Sequence, residues 1–171
     1  MAVKTVRLRA LEPEDIDLIY RWENDPSVWD SSPEHVPFSR HRLTDYLLGP
    51  ALNSIASSGQ LRLVAVNGSR PVGCVDLFDY DPVNQRAGVG ILIDSSLRGI
   101  GYGSAALRQL VHYASRHLLL HQLHCEVAVS NTPSIRLFQH AGFSQVGCRP
   151  QWLRRPSGWE DVLIFHLLLG E

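Results

Sequence analysis

Lysine is almost absent from this chain, since Lys4 is the only one among 171 residues. A P-loop ends in Gly-Lys-Ser or Gly-Lys-Thr, so this absence excludes a nucleotide site of the Walker type. The Gly-x-Gly-x-x-Gly spacing of dinucleotide-binding folds is missing as well. A phosphate ligand would therefore have to be held by a different arrangement.

Cysteine is also scarce. Disulfide frameworks and structural zinc sites use cysteines paired at short, regular spacing. The three cysteines here, Cys74, Cys125 and Cys148, are odd in number, scattered, and never spaced Cys-x-x-Cys. The sequence predicts reduced thiols in a cytosolic protein rather than a disulfide framework or a zinc site.

No charge sign dominates and no long apolar run is present. The chain has 16 Lys and Arg against 17 Asp and Glu, a formal net charge of −1, which gives no general attraction to nucleic acid or anionic membranes. No stretch approaches transmembrane length without a charge, and the first residues lack the apolar core of a signal peptide. We expect a soluble cytoplasmic protein without nucleic acid or membrane partners.

What the chain does have is a glycine-rich loop between a strand and a helix. The apolar residues 91–93 are followed by Arg98-x-x-Gly101-x-Gly103, and an apolar helical stripe begins at once. The first N–H groups of a helix are unpaired and carry partial positive charge, and glycines let the backbone close around an anion. This order predicts a pyrophosphate cradle.

A second motif lies about thirty residues further on. It reads Asn131-Thr132-Pro133-Ser134-Ile135-Arg136-Leu137-Phe138-Gln139-His140-Ala141-Gly142-Phe143. With the glycine loop, it resembles the two signature segments of the GNAT superfamily of acyl-CoA-dependent N-acetyltransferases. Segments 77–82 and 22–26 look like the branch with diamine and spermidine acetyltransferases, and a related branch acetylates ribosomal-protein N-termini. The resemblance covers nearly the whole chain.

Hydrophobic periodicity gives a mixed α/β order without an internal boundary, so one domain over residues 1–171 is predicted. The resemblance implies a central, mostly antiparallel mixed sheet with splayed fourth and fifth strands, flanked by helices. Alternation and turn signals predict strands near 6–10, 61–66, 72–78, 86–93, 123–129, 144–152 and 160–168. They predict helices from Pro13 to Glu23, from Ser39 to Leu48, after the glycine loop, and from 131 to 142, and an irregular loop over 27–37.

The resemblance also implies how acetyl-CoA would bind. The strand backbone would contact pantetheine as an added strand does, the loop N–H groups would hold the pyrophosphate, and Asn131 would contact the pantetheine arm while capping its helix. Phe138 would pack beside the thioester sulfur, unless it serves core packing alone. The implied binding residues are Ile91, Leu92, Ile93, Arg98, Gly99, Ile100, Gly101, Tyr102, Gly103, Ser104, Asn131 and Phe138.

The acid and base for the chemistry are less obvious. Many family members have a tyrosine where Phe138 stands and a glutamate in the strand that here reads Arg86-Ala87-Gly88-Val89-Gly90. The candidates to replace them are Asp76, Glu23, Tyr102 and Ser134. Asp76 could equally be a solvated carboxylate, a carboxylate at the position of Glu23 more often belongs to a solvated helix face, and Tyr102 could serve packing. His117 and His121 have the i, i+4 spacing of a helical zinc site, but the helix should end near Leu120, so we expect no metal.

The distribution of acidic residues along the sequence suggests which kind of acceptor substrate is used. Nine of the 17 acids fall within the first 45 residues, and Asp76, Asp79 and Asp81 form a further cluster. In the family that the sequence resembles, the first helices and their loop frame the acceptor, so these acids suit a cationic amine. The resemblance and the acids together predict acetyl transfer to a small di- or polyamine, and the lack of cysteine in the cofactor motifs predicts direct attack in a ternary complex. N-terminal acetylation of a ribosomal or other protein, or a non-catalytic acyl-CoA-binding module, are the alternatives. A homodimer or higher oligomer is compatible with the sequence.

Overall fold

A seven-stranded sheet, in the spatial order β1-β2-β3-β4-β5-β7-β6, forms the centre of the fold. The computed structural model describes residues 4–29, 36–48 and 54–170. The strands are β1 (Arg7–Ala10), β2 (Leu61–Asn67), β3 (Arg70–Asp81), β4 (Arg86–Ile93), β5 (Gln122–Ala128), β6 (Ser144–Arg155) and β7 (Gly158–Leu168). The helices are α1 (Ile16–Glu23), α2 (Pro26–Trp29), α3 (Arg40–Leu48), α4 (Ile55–Ser58), α5 (Tyr102–Arg116) and α6 (Thr132–His140).

The sheet is mixed, and its parallel pair comes apart. All neighbouring strands are antiparallel except β4 and β5. These two pair only at Arg86, Ala87 and Gly88, opposite residues 122–124. Beyond Gly88 they diverge, so among the described strands β3 alone pairs with residues 89–93 of β4. The predicted mixed sheet with splayed fourth and fifth strands is confirmed.

The two faces of the sheet carry separate hydrophobic clusters. Side chains alternate between faces along a strand, so Val75 and Leu77 of β3 join the larger cluster with α5 and α6. Cys74 belongs to a smaller cluster with α1 and α3. Asp76 shares the face of Cys74, where its side chain is 21% exposed and pairs with Arg62. A polar side chain is therefore tolerated at that point of the sheet.

Helix α1 is fixed to the sheet at both ends. The sequence predicts its start at Pro13, but a 3-10 turn over Pro13–Asp15 comes first, because the buried Asp15 accepts hydrogen bonds from Arg9 at 2.6 and 2.8 Å. Near the other end, Trp22 Nε1 donates to Asp94 Oδ2 over 2.9 Å. This contact holds the last turn of α1 against the residue that follows β4.

Other elements differ from the sequence prediction only locally. The predicted loop over 27–37 begins with the short helix α2, where Val28 N donates to Asp25 O, and residues 30–35 lie outside the described part. Helix α4 is an addition to the predicted elements; Ser54 caps it, and Gly59 ends it at φ 70°. The hairpin at Asn67-Gly68 is confirmed. Among the described residues, no helix is long and apolar enough to cross a membrane.

Candidate active site

A cleft of about 980 Å³ opens where β4 and β5 diverge. It contains nine of the twelve residues predicted to bind the cofactor: 91–93 of β4, Asn131 before α6, and, from the loop and the start of α5, Arg98, Gly99, Gly101, Gly103 and Ser104. Three of the candidate catalytic residues, Glu23, Asp76 and Ser134, line the same cleft. Residues separated by more than one hundred positions are thus brought together.

The glycine loop is shaped by two left-handed residues. Gly99 has φ 74° and Gly101 has φ 97°, values that side chains with a Cβ rarely adopt. Gly101 is the N-cap of α5, a helix of 15 residues. The unpaired N–H groups of its first turn lie at the cleft, where Gly101, Gly103 and Ser104 are lining residues. This arrangement suits an anionic ligand.

Arg98 has a structural role within the loop. Its Nε donates to the carbonyl of Ile93 at 3.1 Å, and its Nη1 donates to Ser27 Oγ at 3.2 Å. The guanidinium therefore joins the end of β4 to α2 while also lining the cleft. Arg98 orders the loop in addition to supplying positive charge there.

The start of α6 forms another wall of the cleft. Asn131 Oδ1 accepts a hydrogen bond from the backbone N–H of Ser134 at 3.2 Å, which satisfies one of the otherwise unpaired donors of the helix. The helix-cap prediction for Asn131 is confirmed. Asn131 and Ser134 both line the cleft.

Three of the residues predicted to bind the cofactor are absent from the cleft lining. The Phe138 side chain is buried against Phe143, with ring centroids 5.1 Å apart. Tyr102 is also buried, and the ammonium of Lys4 lies 5.1 Å from its ring. Ile100 is exposed on the loop. The structure therefore favours the packing alternative for Phe138, because α6 turns this position inward.

At the opposite end of the cleft, an arginine joins the two candidate carboxylates. Arg62 of β2 donates to Asp76 from Nε at 2.6 Å and from Nη2 at 3.1 Å, and to Glu23 from Nη1. The three side chains are 15–21% exposed. Burial would lower the pKa of Arg62, but Asp76 and Glu23 hold it well above its ordinary value. The guanidinium therefore stays charged.

Two glycines lie in β4, the strand in which many family members have a glutamate. A Cβ on Gly88 would lie 2.3 Å from the ring of Phe78, so the strand has no room for a side chain at that position. A Cβ on Gly90 would lie 3.3 Å from Cβ and Oδ2 of Asp76, its partner across the ladder. On this face of the sheet the carboxylate is that of Asp76 on β3, and residue 90, a glycine, has no side chain that could cover it.

Most acids of the two sequence clusters lie away from the cleft. Of these twelve acids, Glu23 and Asp76 are the two that the described part of the chain places in the cleft. Asp15 pairs with Arg9, and Asp17 with Arg40. Asp30 and Glu34 lie outside the described residues. Charge counting alone is therefore a poor guide to the site.

Sequence reasoning missed four charged or titratable lining residues, namely Arg62, Arg108, Arg136 and His140. Arg108 follows Ser104 at i+4 on α5, and His140 follows Arg136 at i+4 on α6. Residues four positions apart share a helix face. Extending the two motifs along their helices would therefore have found Arg108, Arg136 and His140. No local signal marks Arg62, since only strand register and the end of α1 place it.

None of the cysteines lines this cleft. Cys74 and Cys125 are buried, and burial raises the pKa of each thiol to about 12. Cys148 is exposed on β6, and its Sγ lies 4.0 Å from Asp161 Oδ2. The two buried thiols stay protonated at neutral pH and are poor nucleophiles.

The two histidines with helical spacing do not form a site. The helix α5 ends at Arg116 and β5 begins at Gln122, so His117 and His121 do not share a helix face. The ring of His117 lies 5.3 Å from that of Tyr113. Within residues 4–29, 36–48 and 54–170, no three His, Cys, Asp or Glu side chains converge in a way that could hold a metal ion.

Comparison with known protein families matches residues 5–144 to the acetyltransferase (GNAT) domain. The chain belongs to the GNAT family of acetyltransferases. The resemblance found in the sequence is confirmed, and the protein is an N-acetyltransferase by family. The matched region contains the glycine loop, the cleft acids and the start of α6.

Several curated relatives of this GNAT protein are similar over most of their length. An uncharacterized N-acetyltransferase p20 of Bacillus licheniformis is 26% identical, with 96% of this chain and 93% of the relative covered. Spermidine N(1)-acetyltransferase of Escherichia coli is 27% identical, covering 84% and 75%. A putative ribosomal N-acetyltransferase, YdaF of Bacillus subtilis, is 25% identical, covering 97% and 92%.

Among solved structures, spermidine N-acetyltransferase from Vibrio cholerae, in complex with CoA and spermine, superposes with a TM-score of 0.88. The two chains are 22% identical, and 96% of each is covered. This likeness confirms the GNAT fold of the present chain.

Proposed function

We propose that this GNAT protein transfers the acetyl group of acetyl-CoA to a primary amine of a small di- or polyamine, by direct attack in a ternary complex. One observation carries the proposal: a single cleft joins the glycine loop to the Glu23–Arg62–Asp76 trio. One end suits a phosphate-bearing ligand and the other a cation. The spermidine acetyltransferases among the relatives support the same choice.

The positive end fits the cofactor. The first turn of α5 supplies unpaired N–H groups, and Arg98, Arg108 and Arg136 supply charge around them. Over residues 89–93, no strand in the described part of the chain pairs with the edge of β4 that faces the opening, so the amide groups of pantetheine can bond to it as an added strand would. Acetyl-CoA supplies an activated thioester, and the chain holds this thioester in place for attack by the amine.

The acidic end fits the amine. An alkylammonium group with a pKa near 10 is neutral in only about one molecule in a thousand at pH 7, so the reacting nitrogen must lose a proton before it forms the new C–N bond. Asp76 is the proposed acceptor of that proton, directly or through water. Glu23 would hold a second ammonium group. Ser134 is the hydroxyl proposed to relay the second proton of the attached nitrogen, directly or through water, to the departing sulfur, since Phe138 cannot.

Direct transfer predicts that the protein forms no acetyl adduct of its own. The two buried thiols are protonated, and the cleft contains no cysteine. Intact-mass spectrometry after incubation with acetyl-CoA alone should show the unmodified chain. A stoichiometric adduct that disappears on addition of amine would contradict the ternary mechanism.

The preferred acceptor can be found in one thiol-release assay. Putrescine, spermidine, spermine, free amino acids and peptides with alanine or serine at the N-terminus are compared at equal concentration. We expect the polyamines to react fastest, and their advantage to shrink as added salt screens the carboxylates. Faster reaction of the peptides would assign the protein to N-terminal acetylation instead.

N-terminal acetylation of a ribosomal or other protein is the second candidate function. The similarity to a putative ribosomal N-acetyltransferase favours it. The third candidate, an acyl-CoA-binding module without turnover, depends on the missing tyrosine. Thiol release that stays at background with every amine and peptide, while coenzyme A still binds, would support this third candidate.

A further inference from the structure

We propose that Arg108 of α5 and Arg136 of α6 form a second phosphate subsite in the cleft, which holds the 3′-phosphate of coenzyme A and so distinguishes this cofactor from dephospho-coenzyme A. The inference deepens the proposed function and rests on its cofactor. The glycine loop accounts for the diphosphate of the ligand. The two arginines, which are not among the residues that the sequence predicts to bind the cofactor, account for the phosphate on its ribose.

Both arginines line the cleft on the helices that adjoin the glycine loop. Arg108 follows Ser104 by four residues and Gly101 by seven, which places its backbone roughly 6–10 Å further along α5. Arg136 precedes Leu137, whose side chain lies 3.6 Å from the position of a Cβ at residue 103. The two helices are therefore neighbours at the loop, and each presents one arginine to the same cleft.

This spacing fits a ligand with two separate anionic groups. In coenzyme A the diphosphate and the 3′-phosphate are attached to the same ribose, so one sugar ring separates them. Long side chains on a helix lean towards its N-terminus, and the guanidinium of Arg108 therefore reaches back towards the loop. A diphosphate at the first turn of α5 would leave the 3′-phosphate within reach of the arginines.

The helices that carry the pair supply no opposing charge. Neither α5 nor α6 contains an aspartate or a glutamate. Within residues 4–29, 36–48 and 54–170, neither arginine of the pair is bound to a carboxylate, in contrast to Arg9, Arg62 and Arg155. Both side chains are exposed, so their charge is available to a ligand that enters the cleft.

The chemistry of the pair fits a phosphate monoester. A guanidinium binds two phosphate oxygens through parallel hydrogen bonds, and a phosphate monoester carries a charge of about −1.5 to −2 at pH 7. Dephospho-coenzyme A has the same diphosphate, pantetheine and adenine, but a neutral hydroxyl replaces its 3′-phosphate. The subsite would therefore show itself as a difference in affinity between two ligands that differ in this one group.

The test combines the change in the ligand with changes in the protein. Calorimetric titration gives Kd for coenzyme A and for dephospho-coenzyme A with the wild type, Arg108→Gln, Arg136→Gln and the double variant. The matched control is Arg116→Gln, which removes the same charge from the last residue of α5 and does not touch the cleft lining. Thermal unfolding confirms that each variant is folded.

The wild type and Arg116→Gln should bind coenzyme A at least about tenfold more tightly than dephospho-coenzyme A. Each single variant in the subsite should lower this ratio by roughly three- to fivefold, the effect of an ion pair near the surface, and the double variant should bring it close to one. Dephospho-coenzyme A should bind all five proteins within a few-fold. Added salt should lower the wild-type ratio, because it screens the phosphate.

Equal affinities of the wild type for the two ligands would overturn the proposal, and so would subsite variants that keep the wild-type ratio. Variants that weaken both ligands equally would also overturn it, because the arginines would then act on the diphosphate. If one single variant does not fold, the other decides the matter. A folded wild type that binds neither ligand would refute the cofactor of the proposed function, and this inference with it.

Discussion

A Gly103→Phe variant is expected to lose coenzyme A binding while keeping its fold. Gly103 lies in the first turn of α5 and lines the cleft, and a Cβ there would point at Leu137 and Ile93, which line it too. A phenyl ring would fill the space between β4 and α6. Calorimetric titration should show Kd raised by at least about 100-fold, or about 2.7 kcal/mol.

The matched control for this prediction is Gly103→Ala. A Cβ at residue 103 meets its nearest neighbours at 3.6 and 3.7 Å, which is ordinary van der Waals contact, and alanine is favoured over glycine in a helix. The alanine variant should bind coenzyme A within a few-fold of wild type. A folded phenylalanine variant with the wild-type Kd would show that coenzyme A does not occupy the space between β4 and α6.

An Asp76→Asn variant is expected to lose amine acetylation without losing the cofactor. Asparagine keeps the shape of the side chain but cannot take a proton, so the proposed base is removed while the cleft keeps its volume. Catalysis by a positioned base contributes about 10²–10⁴-fold, and we expect kcat/KM for spermidine to fall by roughly 100-fold or more. The Kd for coenzyme A, measured by calorimetry, should stay within a few-fold of wild type.

The matched control is Asp79→Asn on the same strand. Asp79 is exposed and does not line the cleft. Its backbone has φ 49°, a left-handed conformation that asparagine tolerates well. This variant removes the same charge without touching the trio and should retain nearly wild-type kcat/KM. An equal loss in both variants would mean that overall charge, and not Asp76, governs the reaction.

Much of the cofactor end could be predicted because its signals are local. Gly101 and Gly103 are two residues apart, and Asn131 caps the helix that begins next to it. Motifs of this kind are set by backbone conformation within one or two turns, which contiguous residues specify. Here nine of twelve predicted residues line the cleft. The three exceptions are Ile100 on the loop, Tyr102 on α5 and Phe138 on α6, which do not line the cleft.

The acceptor end could not be predicted in the same way. Arg62 is 39 residues from Glu23 and 14 from Asp76, and nothing near any of the three marks them as partners. Their contact depends on the register of the β2–β3 hairpin and on where α1 ends. A shift of one residue in either strand would turn the side chain to the other face.

The sequence by itself determined the family, the mixed α/β class, the glycine loop and the helix cap at Asn131, since these depend on short patterns and on the alternation of apolar residues. Tertiary structure decided where β4 and β5 separate, which is after Gly88, that Phe138 is in the core, and that Arg62 joins the two carboxylates. Pairing between distant side chains is fixed by packing and register, which no local pattern encodes.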